Sequence, residues 1–256
     1  MDAITEQQTD AVNQMDLDFR LNLFPGSIKK AMQYGNQDVV KVGEVAQKFG
    51  SSDLWNIDPR VIEVIPGYNT RVKNARYKEK VQLLKASMME VGFKKDSPLS
   101  VIVVEEENGR LSIKLKRGHR RLESALAAIA EGKPIETVPC VIVKDDVSEE
   151  ELTADLVLSN NGDPLDPYAT AIVCKRMTRW YPDNHAKIAT KLGLWPSQVT
   201  DYLMLINGPV EISDYVRDEV IAFTLAVELL KEHGPRALGI IEQSLARSKA
   251  AGKAKL

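Results

Sequence analysis

Leu99-Ser100-Val101-Ile102-Val103-Val104, Asn108-Gly109 and Leu111-Ser112-Ile113-Lys114-Leu115, followed by Lys116-Arg117-Gly118-His119-Arg120-Arg121-Leu122, specify a β-hairpin that runs into a helix. The first run is rich in β-branched residues, and Asn-Gly suits the positive-φ positions of a tight hairpin turn. Leu111–Leu115 alternates apolar with polar residues at the period of a strand. Leu122, Ala125, Leu126 and Ile129 then recur at helical spacing, so Gly118 stands at the junction.

Upstream, the β-branched run Val61–Ile65 ends at Pro66-Gly67 and enters the polar loop Asn69-Thr70-Arg71. Tyr77–Val91 places Val81, Leu84, Met88 and Val91 on one helical face, and Gly92 is a stop signal. Downstream, Val138–Val143 adds a strand. The pattern predicts an α+β chain in which a small mixed α/β domain occupies residues 58–147, after a partly flexible arm at 1–57 with one short helix near Ile28–Gln33. Past the acidic stretch Asp145–Asp155 the strand signals vanish. Breaks at Gly162-Asp163-Pro164, Pro182-Asp183, Gly193, Gly208-Pro209 and Gly234-Pro235 divide an all-α domain over 148–245 into short helices, and a basic tail follows at 246–256.

At 256 residues, 44% apolar and 27% charged, the chain has a globular composition and room for two cores. No apolar run approaches the ~18 residues of a membrane span, and Cys140 and Cys174 lack neighbours at metal-ligand spacing, which points to reduced thiols in a cytoplasmic protein. The net charge of −2 hides local clusters. Lys114, Lys116, Arg117, Arg120 and Arg121 form one, Lys175, Arg176, Arg179, Lys187 and Lys191 a second, and Arg247, Lys249, Lys253 and Lys255 a third.

Two segments carry chemistry. Gly118 precedes a helix start, where unpaired N–H groups and the helix dipole favour anions, and Arg120 and Arg121 add planar donors for phosphate oxygens. A solvated face of paired arginines fits the same residues, and the residues alone leave both open. In the second segment, Ala189, Leu192, Val199 and Leu203 are spaced so that two short helices bury one another. Gly193 supplies the positive-φ turn and Pro196 the first helical position. This spacing predicts a helix-turn-helix at about 185–205. Its second helix would offer Ser197, Gln198, Thr200 and Asp201 to the major groove, with Gln198 suited to adenine and Asp201 to cytosine. Arg176, Arg179, Lys187 and Lys191 would anchor phosphates. Trp195 is expected to pack against the turn.

Gly118-His119-Arg120-Arg121-Leu122 with Ser124-Ala125 resembles the glycine-acid-arginine-arginine box of ParB partition proteins. Ile62-Glu63-Val64 with Asn69-Thr70-Arg71 resembles that family's first box, and Leu84–Gly92 before Pro98-Leu99 resembles its helix and glycine-to-proline step. The resemblance covers about Asp58–Leu230. It implies a ParB/sulfiredoxin-like nucleotide-binding domain in which Arg71, Gly118, His119, Arg120, Arg121, Asn160 and Asn161 hold CTP with Mg2+. It further implies a homodimer on double-stranded DNA, a partner ATPase of the ParA type, nucleoid or plasmid association, and at most weak CTP hydrolysis. His119 stands where the family commonly has Glu, and the third box is altered to Ser159-Asn160-Asn161-Gly162-Asp163-Pro164. These departures motivate a regulator of the same fold without a nucleotide switch. A nuclease is the enzyme alternative. Gly118 stands where sulfiredoxin carries its reactive Cys, so that thiol chemistry lacks its nucleophile.

Overall fold

The computed structural model describes residues 47–48, 54–143, 148–159 and 163–250. Asn160, Asn161, the short helix expected near Ile28–Gln33 and the end of the basic tail lie outside them. The described residues fall into two compact units, one of residues 47–69 and 73–149, the other of 70–72 and 150–250.

The first unit is built on a six-stranded mixed sheet. Its strands are β1 (Gln47–Lys48), β2 (Leu54–Ile57), β3 (Ile62–Val64), β4 (Leu99–Glu105), β5 (Leu111–Arg117) and β6 (Val138–Ile142), in the order β1-β2-β6-β4-β5-β3. β4 and β5 are the expected antiparallel hairpin, while β3 joins β5 and β6 joins β4 in parallel. Leu54–Ile57, placed by the sequence in the arm, is instead a strand that pairs with β6 from Leu54–Val141 to Ile57–Val138. Four residues are too short to show a period, which is why sequence alone passes over it.

Helix α1 (Ala75–Val91) begins at Asn74, whose side chain accepts a hydrogen bond from the Tyr77 N–H at 2.9 Å, and ends at Gly92 with φ 78°. Helix α2 (His119–Ala130) follows β5 directly. Met88 of α1 and Leu122, Ala125 and Ala128 of α2 are buried in one cluster with Leu99, Val101, Ile113 and Leu115 of the hairpin. The buried Ser124 hydroxyl, with one proton to share, lies 3.0 Å from the Val81 carbonyl of α1 and 2.7 Å from the Arg120 carbonyl of its own helix.

The polar positions of β5 are buried as well. Ser112, Lys114 and Lys116 are each under a tenth exposed, so the alternation in the sequence does not mark a solvent face. The Lys114 ammonium sits 2.5 Å from Glu63 Oε2, its register partner on β3, and 2.6 Å from Glu106 Oε1. Burial alone would lower the Lys114 pKa, but the hydrogen bonds to Glu106 and Glu63 outweigh it and raise it. Hydrogen bonds from Lys114 and then Ser112 hold the Glu106 carboxyl below its ordinary range.

The second unit is all helical: α3 (Glu149–Leu158), α4 (Pro167–Met177), α5 (His185–Leu192), α6 (Pro196–Asn207), α7 (Val210–Arg217), α8 (Phe223–His233) and α9 (Ala237–Ala250). Leu205, Ile212, Val216, Leu230, Ile241 and Leu245 are among its core residues. Among the described residues no helix is long and apolar enough to cross a membrane. Cys140 on β6 and Cys174 on α4 are fully buried, and burial pushes each thiol up to about 12.

Two predictions follow from the hairpin. Because the folded Glu106 pKa lies below the unfolded one, its stabilisation is complete above the carboxylate range and is lost as pH falls through it. Melting curves from about pH 6 to pH 3 should therefore show a smaller loss of Tm in Glu106→Gln than in the wild type; parallel curves would contradict this. Gly118 has φ 99°, and a Cβ there would meet Leu99 Cδ2 at 2.5 Å, whereas Gly109 has φ 75° with open space around it. Gly118→Ala should cost about 1–3 kcal/mol, against about 1 kcal/mol for Gly109→Ala, in urea titrations. Equal costs would mean that Leu99 gives way freely.

Candidate nucleotide and nucleic-acid sites

Gly118 takes up a left-handed conformation (φ 99°, ψ 25°) between β5 and α2, and no side chain caps the helix it opens. An uncapped helix start of twelve residues with two arginines in its first turn has the electrostatics of an anion site. The two arginines differ in their surroundings. The Arg121 guanidinium turns back over Gly118, where Nη2 lies 3.4 Å from the position a Cβ would take. Its Nη1 donates to the carbonyl of Ser97 and, at 2.9 Å, to that of Pro98. Arg121 therefore ties the entry of β4 to the start of α2. It is not the exposed side chain that the sequence suggests, and desolvation followed by the charge of Arg120 lowers its pKa. Arg120 and His119 are half-buried, and the His119 ring lies 6.1 Å from that of Tyr68.

Arg71 belongs to the helical unit. Its Nη2 donates to the Asp163 carbonyl at 2.6 Å, and its Nη1 donates to Asp163 Oδ2 at 3.2 Å and to the Pro164 carbonyl at 3.3 Å. The structure thus joins Arg71 to the segment just after Asn160 and Asn161, while Gly118 to Arg121 belong to the other unit. The groups at the Gly118 turn that could hold a phosphate are the uncapped helix start and Arg120. Arg121 contributes by holding the turn, because its Nη1 donors already serve carbonyls. Among the described residues no group of three or more His, Cys, Asp or Glu is arranged to hold a metal.

In the helical unit, α5 ends at Gly193 (φ 65°, ψ 33°), whose N–H donates to the Ala189 carbonyl, and α6 starts at Pro196. Ala189, Leu192, Val199 and Leu203 are all buried, as their spacing predicts. Trp195 departs from expectation. It is 74% exposed, because its extended backbone directs it off the open end of α6. Its backbone N–H donates to Gln198 Oε1 at 2.9 Å.

The remaining residues expected at DNA divide by what they touch. Ser197 is exposed, and so is Gln198, but the Oε1 of Gln198 caps its own helix, so a bidentate bond to adenine would cost that cap. The Thr200 hydroxyl lies 2.9 Å from His185 Nδ1 and 3.1 Å from the Pro196 carbonyl. Asp201 accepts from Lys231 of α8 at 2.6 Å through Oδ1, so one of its two carboxylate oxygens is already engaged. Arg176 is only 4% exposed and cannot reach a phosphate; its place on the inner face of α4, beside Met177, makes it a structural cation. Arg179 and Lys187 are exposed, over the rings of Trp180 at 5.5 Å and Tyr181 at 6.0 Å. Lys191 pairs with Glu150 Oε1 at 2.7 Å. Sequence reasoning gave Trp195 a packing role and passed over Tyr181 and Glu150, which only the basic residues around them could have signalled.

No family model and no curated protein matches the chain. Solved structures that resemble it include the C-terminally truncated chromosome-partitioning protein ParB from Caulobacter crescentus in two complexes. With CTP-γ-S that protein is 18% identical, at a TM-score of 0.34 over 73% of this chain and 98% of the other. With the centromeric parS site it is 18% identical, at a TM-score of 0.47 over 74% and 92%.

Proposed function

We propose that this chain is a sequence-specific DNA-binding protein of the ParB type whose grip on duplex DNA responds to CTP. The observation that carries the DNA reading is the open end of α6. Trp195, Ser197 and Gln198 are exposed there, and the exposed Lys187 and Arg179 supply cations from the preceding helix and loop. A helix start that offers polar and aromatic groups, with lysine and arginine beside it, suits a major groove flanked by phosphates. The nucleotide reading rests on the box Gly118–Arg121 and its uncapped helix. In it, Arg120 grips phosphate and Arg121 braces the turn. A homodimer, a partner ATPase of the ParA type, a Mg2+ ion with the nucleotide, and association with a nucleoid or plasmid complete the proposal by resemblance.

One observation favours a second reading. With the Nη1 donors of Arg121 spent on carbonyls, the turn offers one guanidinium fork fewer to a triphosphate. A transcriptional regulator of the same fold without a nucleotide switch would need no more than this.

Calorimetry with CTP, ATP and GTP decides between the two. Arg120→Ala should weaken CTP binding at least tenfold with an unchanged Tm, since one charge-assisted bond is worth about 1.5–3 kcal/mol. Arg121→Ala should lower stability by about 1–3 kcal/mol as well, by leaving two carbonyls without their donor. Absence of CTP binding by the wild type would leave the regulator reading. For DNA, Lys187→Ala should reduce the slope of log K against log salt by about 0.9 on every sequence, measured by fluorescence anisotropy. Arg176→Ala should instead lower Tm and leave that slope unchanged. A reduced slope for Arg176→Ala would contradict its structural assignment.

A further inference from the structure

Glu150 sits against a lysine ammonium and a tyrosine hydroxyl. At the start of α3, its Oε1 lies 2.7 Å from the Lys191 ammonium and accepts a hydrogen bond from the Tyr181 hydroxyl at 2.8 Å. The ammonium groups of Lys191 and Lys187 lie 5.9 Å and 6.0 Å from the centre of the Tyr181 ring. One lysine of α5 and a phenol thus meet on one carboxylate oxygen, and a second lysine of α5 adds its charge from beside the same phenol ring. A lysine ammonium, a tyrosine hydroxyl and a second cation nearby are the donors that proteins present to DNA phosphates. The arrangement is a built anion site, and its occupant belongs to the chain itself.

We propose that Glu150 is an internal phosphate mimic: it fills a backbone-phosphate site made by Lys191, Tyr181 and Lys187, and duplex DNA must displace it to engage α5. This inference rests on the DNA-binding reading and adds to it a competitor located at one residue. The side chains of Lys191 and Glu150 are 38% and 19% exposed, so the pair is wet enough to open. Pairs of this kind are held weakly, which lets a phosphate compete. Both partners stay charged at neutral pH: hydrogen bonding from Lys191 lowers the Glu150 pKa, and hydrogen bonding to Glu150 raises that of Lys191.

Fluorescence anisotropy on the full chain tests this with a random-sequence duplex across a salt series. Glu150→Gln should tighten binding about three- to fivefold at low salt and steepen the salt slope by up to about 0.9, one additional counterion release. Lys191→Gln added to Glu150→Gln should abolish the gain. Glu228→Gln, which removes the same charge from an exposed position on α8, should give no comparable gain. Melting curves confirm that each variant folds, and Glu150→Ala serves should the Gln variant not. Binding by the wild type with unchanged affinity and slope in Glu150→Gln overturns the mimic and leaves the DNA reading standing. An equal gain from Glu228→Gln also overturns it, since net charge would then explain the effect. No duplex binding by the wild type or any variant overturns both.

Discussion

Between the end of β5 and the start of α2 the chain must turn beside Leu99 within one residue, at a positive φ and where a Cβ would press on Leu99 Cδ2 at 2.5 Å. Gly118 meets that constraint at φ 99°, and much of the mixed unit depends on it. Because the turn is so tight, Arg121 arrives one helical turn later directly above it, within reach of Ser97 and Pro98 at the entry to β4. The exit of one hairpin strand and the entry of the other are thereby fastened to a single helix start. Leu122, Ala125 and Ala128 then lie against the same sheet. The uncapped start of α2 and the Arg121 brace are products of the same turn, so a change at Gly118 disturbs both at once.

Positive charge in this protein divides into cations that hold the fold and cations that face outward. Lys114 is enclosed by two carboxylates, Arg176 is buried in α4, and Arg121 is bound to backbone carbonyls. Each satisfies the rule that a buried charge keeps its partners. Arg179 and Lys187 stay at the surface over aromatic rings, whose faces attract them. A count of lysines and arginines along the chain treats both kinds alike, and the electrostatic footprint is accordingly smaller than the clusters suggest.

What the sequence reveals and what it hides follow from the range of the interactions. The Asn108-Gly109 hairpin, the α1 face of Val81 and Met88, the Gly118 junction and the Gly193 turn are set by neighbours a few residues apart, and all were legible. β2 was not, since its place is fixed by pairing with β6 some eighty residues on. Asp201 looked available because Lys231 lies thirty residues away, and Lys191 because Glu150 lies forty-one before it. Trp195 misled for the opposite reason: a large apolar side chain is expected to find cover, and here the helix end provides none.

The two thiols are distributed one to each compact unit, Cys140 in the sheet and Cys174 in the helical core. With both raised to about 12 and sealed from solvent, neither reacts at neutral pH while its unit is closed. Alkylation of each cysteine, followed by peptide mass, therefore clocks the opening of its own unit. The chain carries a built-in pair of reporters that can tell whether the sheet unit and the helical unit unfold together or apart.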